Sequence, residues 1–376
     1  MPDVIKICSV GDLMICDSPL YASVGVGSRY TKIRTKLLET CKEQFGGMDI
    51  TIGNFETVVY SPNNRSLKEV QMACPGTVVE DLKQMGFSIL NLANNHSLQH
   101  GTVGFETTIN ACIKNNIEPI GLRDQKPFIV TIKGKKLAFL SLCIHIEWYQ
   151  PDNILYENRI QKILDDIHTI KKNKGSDIIV ISVHWGDEFA TYPSNAQVAL
   201  AHTLVDNGAN IILGHHSHVF QGIEEYKGAI IAYSQGNFIS DMIPELCRQT
   251  ACLMLDINDE KIQYRIVSLY ISDNYIPEPN DTNWYDERKT QLLDVINNKI
   301  DDNQYWKNIS HNHAIGHKNY VNYFKSHIHS YKISVLSRMI FDFGIRKAKR
   351  MIGTSTDGRV SSMDPLIMNE IQKHKL

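Results

Sequence analysis

No run in the 376 residues approaches the ~20 consecutive apolar side chains needed to cross a bilayer. The N-terminus, Met1-Pro2-Asp3-Val4-Ile5-Lys6, lacks the basic stretch and apolar core of a secretory signal. These two absences predict a soluble, cytoplasmic protein. A net charge of −2 gives no overall basic field for nucleic acid, and no acidic tail is present. The eight cysteines, at 8, 16, 41, 74, 112, 143, 247 and 252, include no C-x-x-C pair. That pattern speaks against a thiolate zinc site or a dense disulfide framework and predicts reduced, buried thiols. No internal repeat or low-complexity tract is visible.

Histidine, by contrast, is plentiful: there are 15, several of them clustered. With 43% apolar and 21% charged residues, the chain falls in the ordinary globular class and can bury a large core. Apolar, β-branched runs recur, each ending in a polar cluster. Val4–Val10 ends in Gly11-Asp12, Ile50–Ile52 in Gly53-Asn54-Phe55-Glu56, and Phe87–Leu92 in Asn94-Asn95-His96. Ile178–Val183 ends in His184-Trp185-Gly186-Asp187, and Ile211–Leu213 in Gly214-His215-His216-Ser217-His218. Between them, Thr31–Gln44, Gly76–Met85, Phe105–Asn115, Asn158–Lys172 and Asn195–Asn207 carry helical spacing.

Strand and helix in alternation predict an α/β fold. Phe128–Ile144 and Ala251–Ile271 read as hairpins, broken at Gly134-Lys135 and Asn258-Asp259. A doubly wound sheet does not need them, so a layered α/β/β/α sandwich is expected. Beyond residue 275 the texture changes. Residues 273–286, rich in Pro, Asn and Asp, read as a linker, and Thr290–Lys299, Tyr320–His329 and Ile333–Met351 as helices. The expected organisation is one domain over 1–275 and a small helical C-terminal region over 276–376.

The polar clusters fall at strand ends, where open α/β sheets bind ligands. They supply Asp12, Asn54, Glu56, Asn95, His96, His184, His216 and His218. In an extended run, His216 and His218 at i and i+2 point to the same side. Carboxylates, amides and imidazoles without a thiolate suit Mn, Fe, Zn or Mg. Spread over five strands, they can hold two ions about 3.5–4 Å apart.

These motifs, with Gly11-Asp12-Leu13-Met14, Glu188, and Tyr233-Ser234-Gln235-Gly236-Asn237-Phe238, resemble the bacterial capsule-synthesis protein CapA (poly-γ-glutamate biosynthesis) family. That family is a branch of the calcineurin-like metallophosphoesterases, and the resemblance covers roughly residues 5–272. It implies a four-layer metallophosphoesterase-like sandwich and one or two divalent ions (Mn, Fe, Zn or Ca). Asp12 and His218 would hold the first ion, Glu56 would bridge, and Asn95, His184 and His216 would complete the second. His96 would be the catalytic acid or oxyanion stabiliser beside a metal-activated hydroxide. Asn54, Asn94, Trp185, Glu188, His215 and Asn237 would form the substrate rim and outer shell, with Trp185 at the rim and His215 turned away from the paired ligands.

The implied function is a phosphoesterase-like hydrolase acting on a phosphorylated or polymer-linked small substrate, alongside capsule or polymer biosynthesis proteins. The alternatives are metal-dependent amide or peptidyl chemistry (hydrolysis or epimerisation) and a non-catalytic metal-binding component of an assembly complex. Three departures stand out. Met14 occupies the place of the usual histidine ligand of the superfamily, as it does in the capsule branch. Ser217 replaces a usual Pro, and Gln99-His100 stand where Asp is frequent.

Each motif also has a plainer reading. Asp12 can cap a turn or helix, Asn94-Asn95 can make a turn, and Glu56 can be a solvated strand-end charge. His202 reads as a satisfied histidine within a helix. His145, near Glu147 and Trp148, fits a substrate rim and a structural role equally. His311/His313 and His327/His329 resemble ligand pairs but lack a carboxylate partner. Residues 333–351, with Arg338, Arg346, Lys347, Lys349 and Arg350, suit packing on the domain or peripheral contact with an anionic membrane.

Overall fold

The computed structural model describes residues 4–18, 21–61, 71–145, 153–280 and 283–337. In chain order, β1 (Ile5–Leu13), α1 (Val26–Phe45) and β2 (Ile50–Asn54) lead into two short strands, β3 (Val58–Val59) and β4 (Ala73–Cys74). Next come α2 (Thr77–Met85), β5 (Ile89–Asn91), α3 (Gly101–Lys114) and β6 (Glu118–Ile120). The hairpin β7 (Phe128–Ile132) and β8 (Lys135–Cys143) precedes α4 (Ile160–Lys172), β9 (Ile178–His184), α5 (Asn195–Asn207) and β10 (Ile211–His215). Four strands follow around a short helix: β11 (Ile223–Tyr226), β12 (Ala229–Ala232), β13 (Asn237–Ile239), α6 (Glu245–Arg248) and β14 (Gln249–Ile257). Then come β15 (Ile262–Ile271), β16 (Pro277–Pro279), α7 (Trp284–Ile296) and α8 (Asp302–His327), with a 3-10 turn at Ile328–Ser330 after it. Among the described residues, no helix is long and apolar enough to cross a membrane.

One sheet runs β16-β15-β14-β1-β2-β5-β6, with β13 also paired to β1, and the other runs β11-β12-β10-β9-β8-β7. The apolar runs alternate in purpose. Ile5 and Ile7 of β1 and Ile211 and Leu213 of β10 meet in the core shared by the two sheets. Cys8 and Val10 turn instead toward α1 and α2, and Ile212 toward α4 and α5. Strands buried on both faces read as continuous apolar runs, and period two assigns each residue to a layer. The product is the expected α/β/β/α sandwich.

Both expected hairpins form. The first turns at Lys133 and Gly134, both at positive φ (48° and 81°), the geometry of a tight two-residue turn. The linker reading of 273–286 is corrected. Pro277–Pro279 pairs antiparallel with β15, and α7 already begins at Trp284, whose ring packs edge-on against Phe220. The expected helix Tyr320–His329 is the second half of a longer one. α8 starts at Asp302 behind a capping box of Asp301 and Gln304. Its buried stripe, Tyr305, Ile309, Asn312 and Gly316, has helical spacing, but two of its members are polar or featureless and conceal the period. Of 333–351, residues 338–351 lie outside the described residues, as do Glu147 and Trp148.

Two buried carboxylates fix the entry to α1. Asp17 accepts from Ser23 N and Ser28 N, each at 2.8 Å, and Asp241 accepts from Ser18 N at 2.9 Å and Ser18 Oγ at 2.7 Å. Burial pushes the Asp241 carboxyl up to about 7, with the Asp17 charge adding to the rise against the Ser18 bonds. Its folded value therefore exceeds the ordinary 3.8. The contribution to stability is complete below that ordinary value and is lost as pH rises through neutrality. Asp241→Asn should flatten this decline in thermal melts taken from pH ~4 to ~8. An unchanged pH slope in the variant would contradict the assignment.

Candidate metal centre

The register of the two sheets brings the polar strand ends together. Asp12 of β1 lies opposite Asn54 of β2, which lies opposite Asn91 of β5. In the facing sheet, His184 of β9 lies opposite His215 of β10. Two glycines permit this convergence. A Cβ on Gly11 would fall 1.9 Å from Gly236 O, and one on Gly214 would fall 1.9 Å from Tyr233 O. Only glycine admits so close a backbone crossing.

Glu56, just past β2, is the hub. Ligand-type atoms of Glu56, His184 and His216 lie within 4.8 Å of one another, and so do those of Asp12, Glu56 and His218. All five residues are buried. Glu56 Oε1 stands 3.8 Å from His96 Nε2, 3.9 Å from His218 Nε2 and 4.0 Å from His184 Nε2. Such a separation is too long for a hydrogen bond and leaves room for an ion between the groups. His184 Nε2 is 2.9 Å from Asn95 Oδ1, which adds the amide to the Glu56–His184–His216 group.

Amides position these groups. Asn54 Nδ2 donates to Asp12 Oδ1 at 2.8 Å and to Glu56 Oε2 at 3.3 Å. Its Oδ1 accepts from Asn91 Nδ2 at 2.9 Å and Asn94 Nδ2 at 3.3 Å. Asn237 Oδ1 stands 3.0 Å from His218 Nδ1, a contact that fixes the ring. Outer-shell partners of this kind orient metal ligands.

Several buried atoms at this point have no hydrogen-bond partner: Asp12 Oδ2, Glu56 Oε1, His215 Nδ1 and both ring nitrogens of His216. His145 Nδ1 joins them. An imidazole with neither nitrogen satisfied is an exception among buried polar groups, and an ion is the simplest partner. The donor set and its orphaned atoms fit a divalent metal.

The electrostatics divide the site in two. Burial, with neighbouring imidazoles, holds His184 and His216 well below their ordinary values, so both are neutral and able to serve as ligands. In the other group burial opposes the charged His218, but Glu56 and Asp12 lift it to about 10. Burial and the charge of Asp12 raise Glu56 well above the carboxylate range. Asp12 resists burial through His215 and His218, and its carboxyl lies well below that range.

Some expectations need correction. β10 ends at His215, and His216 and His218 have φ of 92° and 57°. The two rings reach the centre from a left-handed turn, not from alternation along a strand. His215 does not turn away: its Nδ1 lies 3.3 Å from Asp12 Oδ1. Trp185 is no rim residue. It is 0% exposed, and its Nε1–H donates to Tyr233 O at 2.8 Å within the helix-side core. Met14 packs in a sulfur-rich cluster with Cys16, Met72 and Met242.

His96 is the imidazole set at the edge, 21% exposed, with Nδ1 2.7 Å from Gln99 Oε1. His100 is engaged elsewhere, 2.7 Å from Gln71 O and stacked on Tyr60. Glu188 is half-buried in the loop after β9. His145, left open by the sequence, lies against His216, with ring centroids 4.0 Å apart and the rings tilted by 40°. His202 is satisfied, 3.0 Å from both oxygens of Glu224 and stacked on Tyr226. Neither His311/His313 nor His327/His329 joins a metal-type cluster among the described residues.

Two facing sheets between helices, with buried carboxylates, amides and imidazoles gathered at their strand ends, make this a four-layer α/β/β/α protein with clusters compatible with a divalent metal site. The chain belongs to the family described as bacterial capsule synthesis protein PGA_cap, which matches residues 6–242. It is similar to the capsule biosynthesis protein CapA of Bacillus anthracis, with 32% identity over 56% of this chain and 55% of that protein. It is also similar to the PGA biosynthesis protein CapA of Bacillus subtilis, with 31% identity over 64% of each chain. The chain thus spans between about half and two thirds of the length of these relatives. Among solved structures, a 5'-nucleotidase from Candida albicans aligns with a TM-score of 0.42 at 11% identity, over 78% of this chain and 57% of that one.

Proposed function

We propose that the protein is a metal-dependent hydrolase of a phosphate ester or related bond, serving the assembly of a surface polymer such as capsule polysaccharide or poly-γ-glutamate. The observation that carries this reading is Glu56, shared by two ligand groups whose buried atoms lack partners. Asp12, Glu56 and His218 would hold one ion, and Glu56, Asn95, His184 and His216 the other. Bound divalent ions supply Lewis acidity, a water of lowered pKa and a clamp for a phosphoryl group.

The chain supplies the rest. Asn54 holds Asp12 and Glu56 in place, and Asn237 holds His218. His96 accepts orientation from Gln99 at Nδ1 and presents Nε2 toward Glu56, where it delivers a proton to the departing group. Burial lowers its pKa from the ordinary value, so the doubly protonated ring that can donate from Nε2 is favoured by mildly acidic pH. The names of the Bacillus relatives support the polymer pathway and partners drawn from it.

One observation favours a second reading, a metal-binding component without catalysis: Met14 leaves the Asp12 group a ligand short. Turnover separates the two. With Mn, Fe, Zn or Ca added back, the wild type should hydrolyse p-nitrophenyl phosphate or its diester. His96→Ala should lose about 10²–10⁴-fold in kcat at unchanged metal content. No turnover with any of these ions would favour the non-catalytic component.

A further inference from the structure

The loop between β9 and α5 is gripped from two sides. Phe189 N donates to Ser217 O at 2.9 Å, which ties the loop to the histidine turn. α8 holds the other side with a stripe of helical spacing. Tyr305 OH donates to Asp187 Oδ2 at 3.0 Å, Asn308 Oδ1 accepts from Thr191 N at 3.3 Å, and Asn312 Nδ2 donates to Phe189 O at 2.9 Å. His313 adds its ring edge-on to Phe189, with centroids 4.5 Å apart. This helix lies beyond residue 242, where the family match ends.

Glu188 sits inside the clamp, between Asp187 and Phe189. It is half-buried, and its carboxylate makes no hydrogen bond or ion pair among the described residues. The loop that carries it is tied through Phe189 to the histidine turn, and its charge is felt at His96, His145, His218 and His313. A half-buried carboxylate without its own cation is costly, and the cost is removed if a cation arrives with the ligand.

We propose that Glu188 is the docking group for a protonated amine on the substrate. The centre then takes molecules whose ammonium group lies a short distance from the phosphoryl or carbonyl group held at the metal ions. This rests on the hydrolase reading for where the anionic end binds, and it adds the chemistry of the other end. The loop carries the carboxylate and α8 sets its position, so the C-terminal helix becomes the specificity wall of the site.

The test uses binding of phosphonates, which are not turned over. Calorimetry on the Mn-loaded chain compares 2-aminoethylphosphonate with n-propylphosphonate, close in size and differing in charge. The wild type should bind the amine roughly 10–100-fold more tightly, the worth of one charge-assisted hydrogen bond. Glu188→Gln should erase that gap while keeping its metal and its affinity for n-propylphosphonate. The proposal is overturned if the wild type shows no gap, if the gap survives in Glu188→Gln, or if that variant loses both ligands equally or sheds its metal. The last outcome would make the carboxylate a servant of the ions. Ester turnover tests the hydrolase reading separately, so failure of one leaves the other standing.

Discussion

Glu56→Gln is expected to abolish turnover, by at least about 10³-fold, and to leave the metal-free protein no less stable than the wild type. The two effects have one cause. Glu56 is the acidic hub of both ligand groups, so the amide weakens both at once, and a weakened site loses the charge that would stabilise a transition state. In the metal-free chain the same carboxylate is a burden. It is fully buried, Asp12 repels it, and one oxygen has no partner. Gln keeps the shape and an acceptor for Asn54 Nδ2 while removing the charge. Added metal should raise the wild type's stability by about 4 kcal/mol at a thousandfold excess over Kd and do nearly nothing for the variant. Melting curves with and without Mn check this. A metal-free variant much less stable than the wild type would contradict it.

The second large effect is on folding. Trp185→Ala should destabilise the chain by about 3–5 kcal/mol in urea titrations, the cost of a large cavity in a core that cannot close over it. Trp185 is fully buried against Tyr233, with centroids 6.2 Å apart, and its Nε1–H satisfies the Tyr233 carbonyl. Its neighbour in sequence is His184, so the cavity opens next to a residue of the candidate centre. Trp185→Phe refills most of the volume but orphans the carbonyl, and about 1–3 kcal/mol should remain lost. A cost below about 1 kcal/mol for the alanine variant would return Trp185 to the rim.

How much of this was visible in the sequence follows from which physical signals are local. The layers were legible because β10 is buried on both faces and opens with the unbroken apolar run Ile211–Leu213, and β1 is a similar run interrupted only by Lys6 and Ser9 before its polar end. The residues gathered at the centre were legible because each apolar run stops at a polar group where a strand ends. The turn after β10 was not legible. Its left-handed residues are histidines, not the Gly or Asn that usually announce such backbone, and Gly214 marks a close crossing instead. His145 gave no signal of its own, because its place against His216 depends on how β8 and β10 are set in the sheet. The clamp by α8 was hidden for a similar reason. Asn308 and Asn312 are polar members of a buried stripe, paired with loop backbone more than a hundred residues away. The helical spacing of Tyr320–His329 marked only the second half of that helix, and the capping box at Asp301 and Gln304 marks where it begins.

The central claim is that Glu56 joins two ligand groups into one divalent-metal centre with unequal halves. The most direct measurement is a metal count by elemental analysis after equilibration with Mn and removal of free ions. The wild type should retain at least one ion per chain. His216→Ala, which removes an unpartnered imidazole from the group with the fuller ligand set, should lose the tightly held ion, and Glu56→Gln should retain none. A wild type that holds no divalent ion, or a Glu56→Gln variant that holds as many as the wild type, would contradict the account.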